Sequence, residues 1–462
     1  MRIGIIGGGI SGLATAYYLT RRLGADEAEV TVLEASPRWG GIVLTERLGD
    51  FLLEGGPDSV VAQKPQALDL CRELGLQDEF ITSPEIHRQA HVFSRGKLHI
   101  LPRGLIFNSP IDRKTLAATG LLSWRGRLRL SVEPLLPSRV REDESVAAFV
   151  SRRLGSEVLE RVVEPLISGI YGGDPDLLSA HSLMPRPFLA ESQRASLTTV
   201  KAGASARDNS ARASHAPAFV SLRSGMGTLI TRLVQELEQR AKLHLEAEAT
   251  SIRWEPEGHQ VRVHKLGELH FDALVLAIPA HTSARLLADC DPKVADLLNG
   301  IPYTSSVVAS LGYNKKVIDQ AGAGFLIPRI EREFMVACTF ASNKFPLRAP
   351  RQGSLLRCFA AGRRADDLMD LDDHSILEAF RRELSRYLGI DQEPSAQKVY
   401  RWEKAMPQYA VQHHRRIGRL QETLQQHPGL HLVGNFITGV GLSDCVAQAR
   451  SVAAQLQESR TV

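Results

Sequence analysis

Cysteine is scarce in this chain of 462 residues: five in all, at Cys71, Cys290, Cys338, Cys358 and Cys445, none in a C-x-x-C pair. That excludes a disulfide-stapled scaffold and a cysteine zinc site, and it fits a reducing compartment. His413 and His414 stand side by side among fifteen histidines, but neither has an H-x-x-x-H partner or a carboxylate cluster beside it. No metal site is expected. Net charge is low, +4, which excludes a dedicated nucleic-acid binder and permits only weak attraction to anionic lipid. No apolar run approaches the roughly 20 residues that a membrane-spanning helix needs. The apolar N-terminus has no cleavage-type boundary, so it is not read as a signal peptide, and the chain is expected to begin at or near Met1 and stay in the cytoplasm. What remains is ordinary: 43% apolar and 23% charged residues, enough chain for two or three domains.

The first 41 residues are the informative ones. An apolar run, Ile3 to Ile6, leads directly into Gly7, Gly9 and Gly12 in G-x-G-x-x-G spacing, followed by a helix-like stretch and a second apolar run, Val30 to Leu33, that ends in Glu34. Strand, tight turn, helix, strand and acid in that order define a dinucleotide site. Gly7 permits the turn, Gly9 lets backbone approach a pyrophosphate, and Gly12 lets the helix pack on the strand. Gly8, Ile10 and Ser11 complete the turn, where helix N–H groups face phosphate. Glu34 follows Gly12 by 22 residues, close to the spacing of about 20 for a ribose-gripping acid; it argues against a bound 2′-phosphate.

The cofactor unit reads as discontinuous. Leu229, Ile230, Leu233, Val234 and Leu237 share one helical face, and a short strand pair should follow. FDALVLAIP at 271–279 is a buried-strand pattern, and LHLVGNFITGVGLSDC at 430–445 is another strand running into glycines and a helix. We therefore expect an α/β protein with a Rossmann-type cofactor domain at 1–62, 219–283 and 428–462. An inserted α+β substrate domain is expected at 63–90 and 284–427, with a mainly helical insert at 91–190 and a mobile loop at 191–218. Residues 104–137 mix Leu116, Leu121, Leu122, Trp124, Leu128 and Leu130 with Arg113, Lys114, Arg125, Arg127 and Arg129. This stretch suits either a membrane surface or a helix pair packed on its own domain.

Beyond Glu34, the words LEASPRWGG and FLLEGGPDS narrow the choice. A second glycine pair after the ribose acid is unusual for an NAD enzyme. The chain here resembles the FAD-binding group of monoamine oxidases, phytoene desaturases and protoporphyrinogen oxidases. Several stretches are similar to the oxygen-dependent porphyrinogen oxidases in particular: EPLISGIYGGDP from Glu164 to Pro175, FPLRAP at 345–350, RWEKAMPQYAVQHHRRI at 401–417 and FVSLRSGMGTL at 219–229. They lie in order across nearly the whole chain.

The resemblance implies a flavoenzyme of haem synthesis that oxidises protoporphyrinogen IX to protoporphyrin IX, or alternatively coproporphyrinogen III to coproporphyrin III, with dioxygen as electron acceptor. The implied FAD contacts are Gly7, Gly8, Gly9, Ile10, Ser11, Gly12, Glu34, Ala35, Arg38, Gly40, Gly41, Gly56, Pro57, Asp58, Ser59, Ala249, Trp402, Gly434, Asn435, Val440, Gly441 and Leu442. The implied substrate contacts are Gly169, Tyr171, Leu326 and Phe345, of which Leu326 and Phe345 read equally as core. No catalytic side chain is implied, since the flavin performs the chemistry.

The resemblance also implies a peripheral contact at the inner face of the membrane and a hand-off of product to a haem-pathway chelatase. Where plant and animal members carry an arginine for a propionate, this chain has Ala90, leaving Arg88, His87 or His91 to serve; that departure favours coproporphyrinogen. Gln412 and Ala449 replace family glycines. Other readings on the same fold are an amine or polyene oxidase and a non-enzymatic escort-type binding protein.

Overall fold

A computed structural model describes residues 1–24, 26–101, 116, 118–139, 141–193, 197, 219–255 and 258–458. Its centre is a five-stranded parallel sheet, in the order Lys242–His244, Glu29–Leu33, Arg2–Ile6, Ala273–Leu276, Leu430–Leu432. The strands come from three distant parts of the chain, as the dispersed apolar runs predict. Alternation along each strand explains how both faces are covered. Ile3, Ile5, Val30, Val32 and Val275 join one core with the helices Ile10–Arg22, Gly227–Leu237 and Leu442–Glu458. Ile6, Leu33, Leu274 and Leu276 join the opposite core. That second core is closed by the helices Ala280–Leu287, Pro292–Asn299 and His413–Leu424 and by an antiparallel sheet of three strands, Ala249–Glu255, Gly258–Val263 and Gly267–Phe271. A strand pair was expected in this last place; the extra strand forms because Leu269 and Phe271 also have apolar surface to bury there. Of the helical face read from sequence, Leu229, Ile230, Leu233 and Leu237 are buried and Val234 is half-buried.

A seven-stranded sheet forms the second body, in the order Ala396–Pro407, Tyr303–Tyr313, Ser354–Ala361, Met335–Phe340, Gly324–Leu326, Ala90–Ser94, Lys97–Ile100. Pairing is antiparallel except between Gly324–Leu326 and Ala90–Ser94. The hairpin 90–100 thus belongs by pairing to this sheet, so helical structure begins beyond residue 100 and not at 91. The AHVFS–KLHI alternation is a hairpin signal around Arg95-Gly96, both at positive φ. One sheet face packs on the helix Asp373–Leu388, which is capped by Asp372 accepting from the Ser375 amide at 2.9 Å and ended by Gly389 at φ 66°. The other face places Val308, Leu355 and Tyr400 on Phe51 and Leu53 of the hairpin Thr45–Leu48/Phe51–Glu54.

The helical region packs around Phe149, Val162, Ile167 and Leu183. Its longest run is continuous from Ser156 to Tyr171, with a π turn at Leu159–Val163. The expected mobile loop lies, apart from 191–193 and 197, outside the described residues, as do 104–115 and 117 of the basic stretch. Among the described residues no helix is long and apolar enough to cross a membrane, and no group of histidines, cysteines and carboxylates is arranged to hold a metal ion.

Candidate flavin site and substrate wall

Chain order around the parallel sheet reverses at its central strand, Arg2–Ile6, and Gly7 stands at that strand's carboxyl end, where open α/β sheets bind ligands. Gly7 has φ +112°, and a Cβ there would stand 2.5 Å from the Ala277 carbonyl oxygen. A Cβ on Gly12 would stand 1.9 Å from the Gly7 carbonyl oxygen, and one on Gly8 would enter the Trp39 ring at 2.4 Å. Gly9 differs: nothing lies within 4 Å of its Cβ position. Three glycines are thus required by close packing of protein on protein, while Gly9 presents bare backbone to open space at the start of the helix Ile10–Arg22. That arrangement fits a pyrophosphate.

Glu34 accepts from the Gly8 amide at 2.6 Å and the Ser36 amide at 2.8 Å, which fixes its carboxylate beside the turn. Ala35 is exposed next to it, and Ala249 is buried where the antiparallel sheet begins, beside Leu33 and Ala247. Gly40 bridges to Gly9, so the second glycine pair does come back to the first. Arg38 donates to the Gly41 carbonyl at 2.5 Å and lies 6.0 Å from the Trp402 ring centroid. The Trp402 indole donates to the Gly55 carbonyl at 2.8 Å. Gly56 is forced by contact, since a Cβ would stand 1.8 Å from the Ile42 carbonyl oxygen. Pro57, Asp58 and Ser59 continue that loop.

The third segment, 434–442, is held from two sides. The Gly434 amide donates to Gln448 Oε1 at 3.1 Å, and Asn435 Nδ2 donates to the Ala405 carbonyl at 3.4 Å. The Tyr409 hydroxyl donates to the Asn435 carbonyl at 2.5 Å and accepts from the Gly439 amide at 2.7 Å. Gly441 donates to Asp444, and buried Leu442 opens the C-terminal helix, which packs beside Leu13 and Ala14 of the first helix. Tyr409 stacks on His413 at 4.2 Å and 7°. Burial pushes the His413 imidazole down to about 4 and Tyr409 well above the ordinary phenol value, so both stay neutral near pH 7.

Of the implied substrate residues, three come together. A Cβ on Gly169 would meet Leu326 Cδ2 at 2.5 Å, and Leu326, Tyr171 and Val440 pack on one apolar cluster. Burial raises the Tyr171 phenol to about 12. This wall therefore joins the E-P-x-x-x-G-x-Y signature, the sheet strand Gly324–Leu326 and the 434–442 segment. Phe345 stands elsewhere. It is 1% exposed and lies in the core under Lys344 and Arg348. Arg88 donates through Nε to the Ser83 carbonyl at 3.2 Å and sits four residues before Val92, the strand partner of Leu326. Gln412 has φ +68°, a conformation that favours glycine; its backbone amide donates to Asp143 at 2.6 Å. Ala449 is buried mid-helix, where alanine outperforms glycine.

Sequence reasoning missed Tyr409, Lys344 and Arg357. Arg357 left a signal, because an arginine inside the apolar run SLLRCFAAG must find a buried partner.

A nucleotide turn, a returning glycine loop and a third segment leading into the C-terminal helix, all beside an apolar wall, define a flavin-dependent oxidoreductase. The chain belongs to the flavin containing amine oxidoreductase family, which it matches over residues 10–457, and its cofactor is FAD. Among its relatives, coproporphyrinogen III oxidase of Bacillus subtilis is 31% identical over 455 residues, covering 97% of this chain and 96% of that protein. The enzyme of the same name from Propionibacterium freudenreichii is 33% identical, over 96% and 89%. Chloroplastic protoporphyrinogen oxidase 1 of Arabidopsis thaliana is 29% identical, over 98% and 87%. A crystal structure from Exiguobacterium sp. 255-15, provisionally assigned as a protoporphyrinogen oxidase, superposes with a TM-score of 0.85 at 30% identity, over 99% of both chains.

Proposed function

We propose that this protein oxidises a porphyrinogen to the porphyrin in haem synthesis, with coproporphyrinogen III as the preferred substrate and dioxygen as the final acceptor. The observation that carries the reading is the wall of Gly169, Tyr171, Leu326 and Val440, apolar and adjoining the flavin segment. Bound FAD supplies the acceptor for the electrons that leave each saturated bridge carbon. The chain's task is then to hold a large flexible macrocycle in position and keep water out. Glycine at 169 lets Leu326 close onto the helix, since a Cβ there would stand 2.5 Å from Leu326 Cδ2. Tyr171 and Tyr409 are neutral and aid exclusion of charge. An amine oxidase instead needs open ring faces to surround a cation, and the Tyr409 ring is covered on one side by His413. Coproporphyrinogen is preferred because several similar proteins carry that name and because Ala90, not arginine, stands at the strand start beside Gly324.

The test is side-by-side aerobic turnover, following porphyrin fluorescence and oxygen uptake together. We expect kcat/KM for coproporphyrinogen III to exceed that for protoporphyrinogen IX at least about tenfold, a difference of about 1.4 kcal/mol. The reverse ratio returns the substrate to protoporphyrinogen. Fluorescence without oxygen uptake removes dioxygen as the acceptor.

A membrane contact is part of the same proposal. Trp124 and Leu128 of the helix Trp124–Ser131, its C-cap Val132 and Leu135 of the 3-10 turn that follows are 69%, 60%, 36% and 84% exposed, with Arg125 beside Trp124. An exposed apolar stripe edged by arginine suits an anionic bilayer surface. Wild type should sediment with phosphatidylglycerol vesicles and Trp124→Ser/Leu128→Ser should not; equal sedimentation rejects this face.

A further inference from the structure

Charge is buried where the loop Gly55–Ser59 meets the seven-stranded sheet. Glu54 and Arg348, each 2% exposed, face one another at 3.3 Å, and Glu54 also takes the Thr45 hydroxyl at 2.6 Å and the Met226 amide at 2.9 Å. Asp58 faces two cations. Lys344 Nζ stands 2.8 and 3.0 Å from its two oxygens and 2.9 Å from Ser59 Oγ. Arg357 Nη1 stands 3.3 Å from Asp58, and its Nη2 donates to the Gly56 carbonyl at 2.6 Å. The Lys344, Asp58 and Arg357 side chains are only 11%, 14% and 3% exposed. The two cations hold the Asp58 carboxyl well below the usual carboxylate range.

The partners come from different bodies. Asp58 belongs to the loop placed in the FAD-holding set. Lys344 ends the short helix Ala341–Lys344 that follows the strand Met335–Phe340. Ala337 of that strand lies behind Gly169 and Leu326. Lys344 therefore ties the Gly55–Ser59 loop to the seven-stranded sheet, whose strand Met335–Phe340 also backs the substrate wall. Two cations on one carboxylate also leave positive charge in excess in a nearly dry seam. Fixed charge in such a place acts strongly on any neighbour that gains electrons. A buried ion pair brings little net stability compared with apolar residues of the same size, so stability alone gives no reason for this cluster.

We propose that Lys344 is a positioning residue of the oxidation: by clamping Asp58 and Ser59 it fixes the Gly55–Ser59 loop, and with Arg357 it keeps positive charge beside the group that receives the electrons. The substrate part rests on the porphyrinogen reading; the effect on the flavin does not.

The test uses the holoenzyme and measures the midpoint potential of bound FAD by reductive titration against dyes, together with kcat and KM. Lys344→Met should shift the midpoint to more negative potential and lower kcat about tenfold, with KM changed less than about twofold. Lys344→Arg should restore both. Asp58→Asn removes the anion and should shift the midpoint the other way, to more positive potential. A purely structural cluster would move both variants in the same direction or neither, and either result overturns the proposal. Should Lys344→Met fail to fold, the sign in Asp58→Asn decides. Opposite shifts in a protein inert towards both porphyrinogens would keep the electrostatic role and reject the substrate.

Discussion

Gly9→Ala is expected to leave the fold unchanged and strip the protein of FAD. The backbone at Gly9 has φ −77° and ψ −178°, which any residue adopts, and its Cβ position is clear of protein atoms to 4 Å. The methyl group costs the apoprotein nothing and occupies the space through which backbone would reach a pyrophosphate. Retained flavin after gel filtration should fall at least about tenfold, a loss of about 1.4 kcal/mol in binding, with the melting temperature of the apoprotein unchanged. Gly12→Ala provides the contrast. Its Cβ would stand 1.9 Å from the Gly7 carbonyl oxygen, so it should lower both flavin content and apoprotein stability. Equal flavin content in Gly9→Ala and wild type would remove Gly9 from the site.

The second large effect lies in the core. Arg348 donates to the Ser221 hydroxyl at 2.8 Å, the Leu222 carbonyl at 2.9 Å and the Arg223 carbonyl at 3.0 Å besides facing Glu54. Burial lowers the Arg348 value and raises that of Glu54, so each charge depends on the other for its compensation. Arg348→Met strands the Glu54 carboxylate and should cost about 3–5 kcal/mol in denaturant unfolding. Adding Glu54→Gln should recover a large part of it, because the stranded charge is then gone. A double variant as unstable as Arg348→Met alone would show that the loss comes from the carbonyl contacts, not from the charge.

These two cases mark what the sequence makes legible. The glycine turn, Glu34 and the three dispersed strands are written in local patterns: period-2 apolar runs, fixed glycine spacing and an acid at the expected distance. Turn chemistry and strand alternation act over a few residues, so a reader of sequence sees them. The 434–442 segment was legible for the same reason. Residues 91–100 read from sequence as part of the helical insert because pairing partners 234 residues apart, such as Phe325 with His91 and Leu326 with Val92, leave no local trace. Phe345 shows a different limit. An apolar residue in a recognisable motif has the same sequence signature whether it faces a ligand or the core, and here it is buried under two cations. Tyr409, Lys344 and Arg357 act through contacts across bodies, Tyr409 on Asn435, 26 residues later. Only the buried arginine in an apolar strand announced itself.

Anaerobic mixing of the purified yellow protein with coproporphyrinogen III asks whether a porphyrinogen gives its electrons to the flavin of this chain. Flavin absorbance should bleach as porphyrin absorbance appears, while benzylamine and carotenes should leave the flavin oxidised. Flavin that is bleached by benzylamine and untouched by either porphyrinogen would contradict electron transfer from a porphyrinogen.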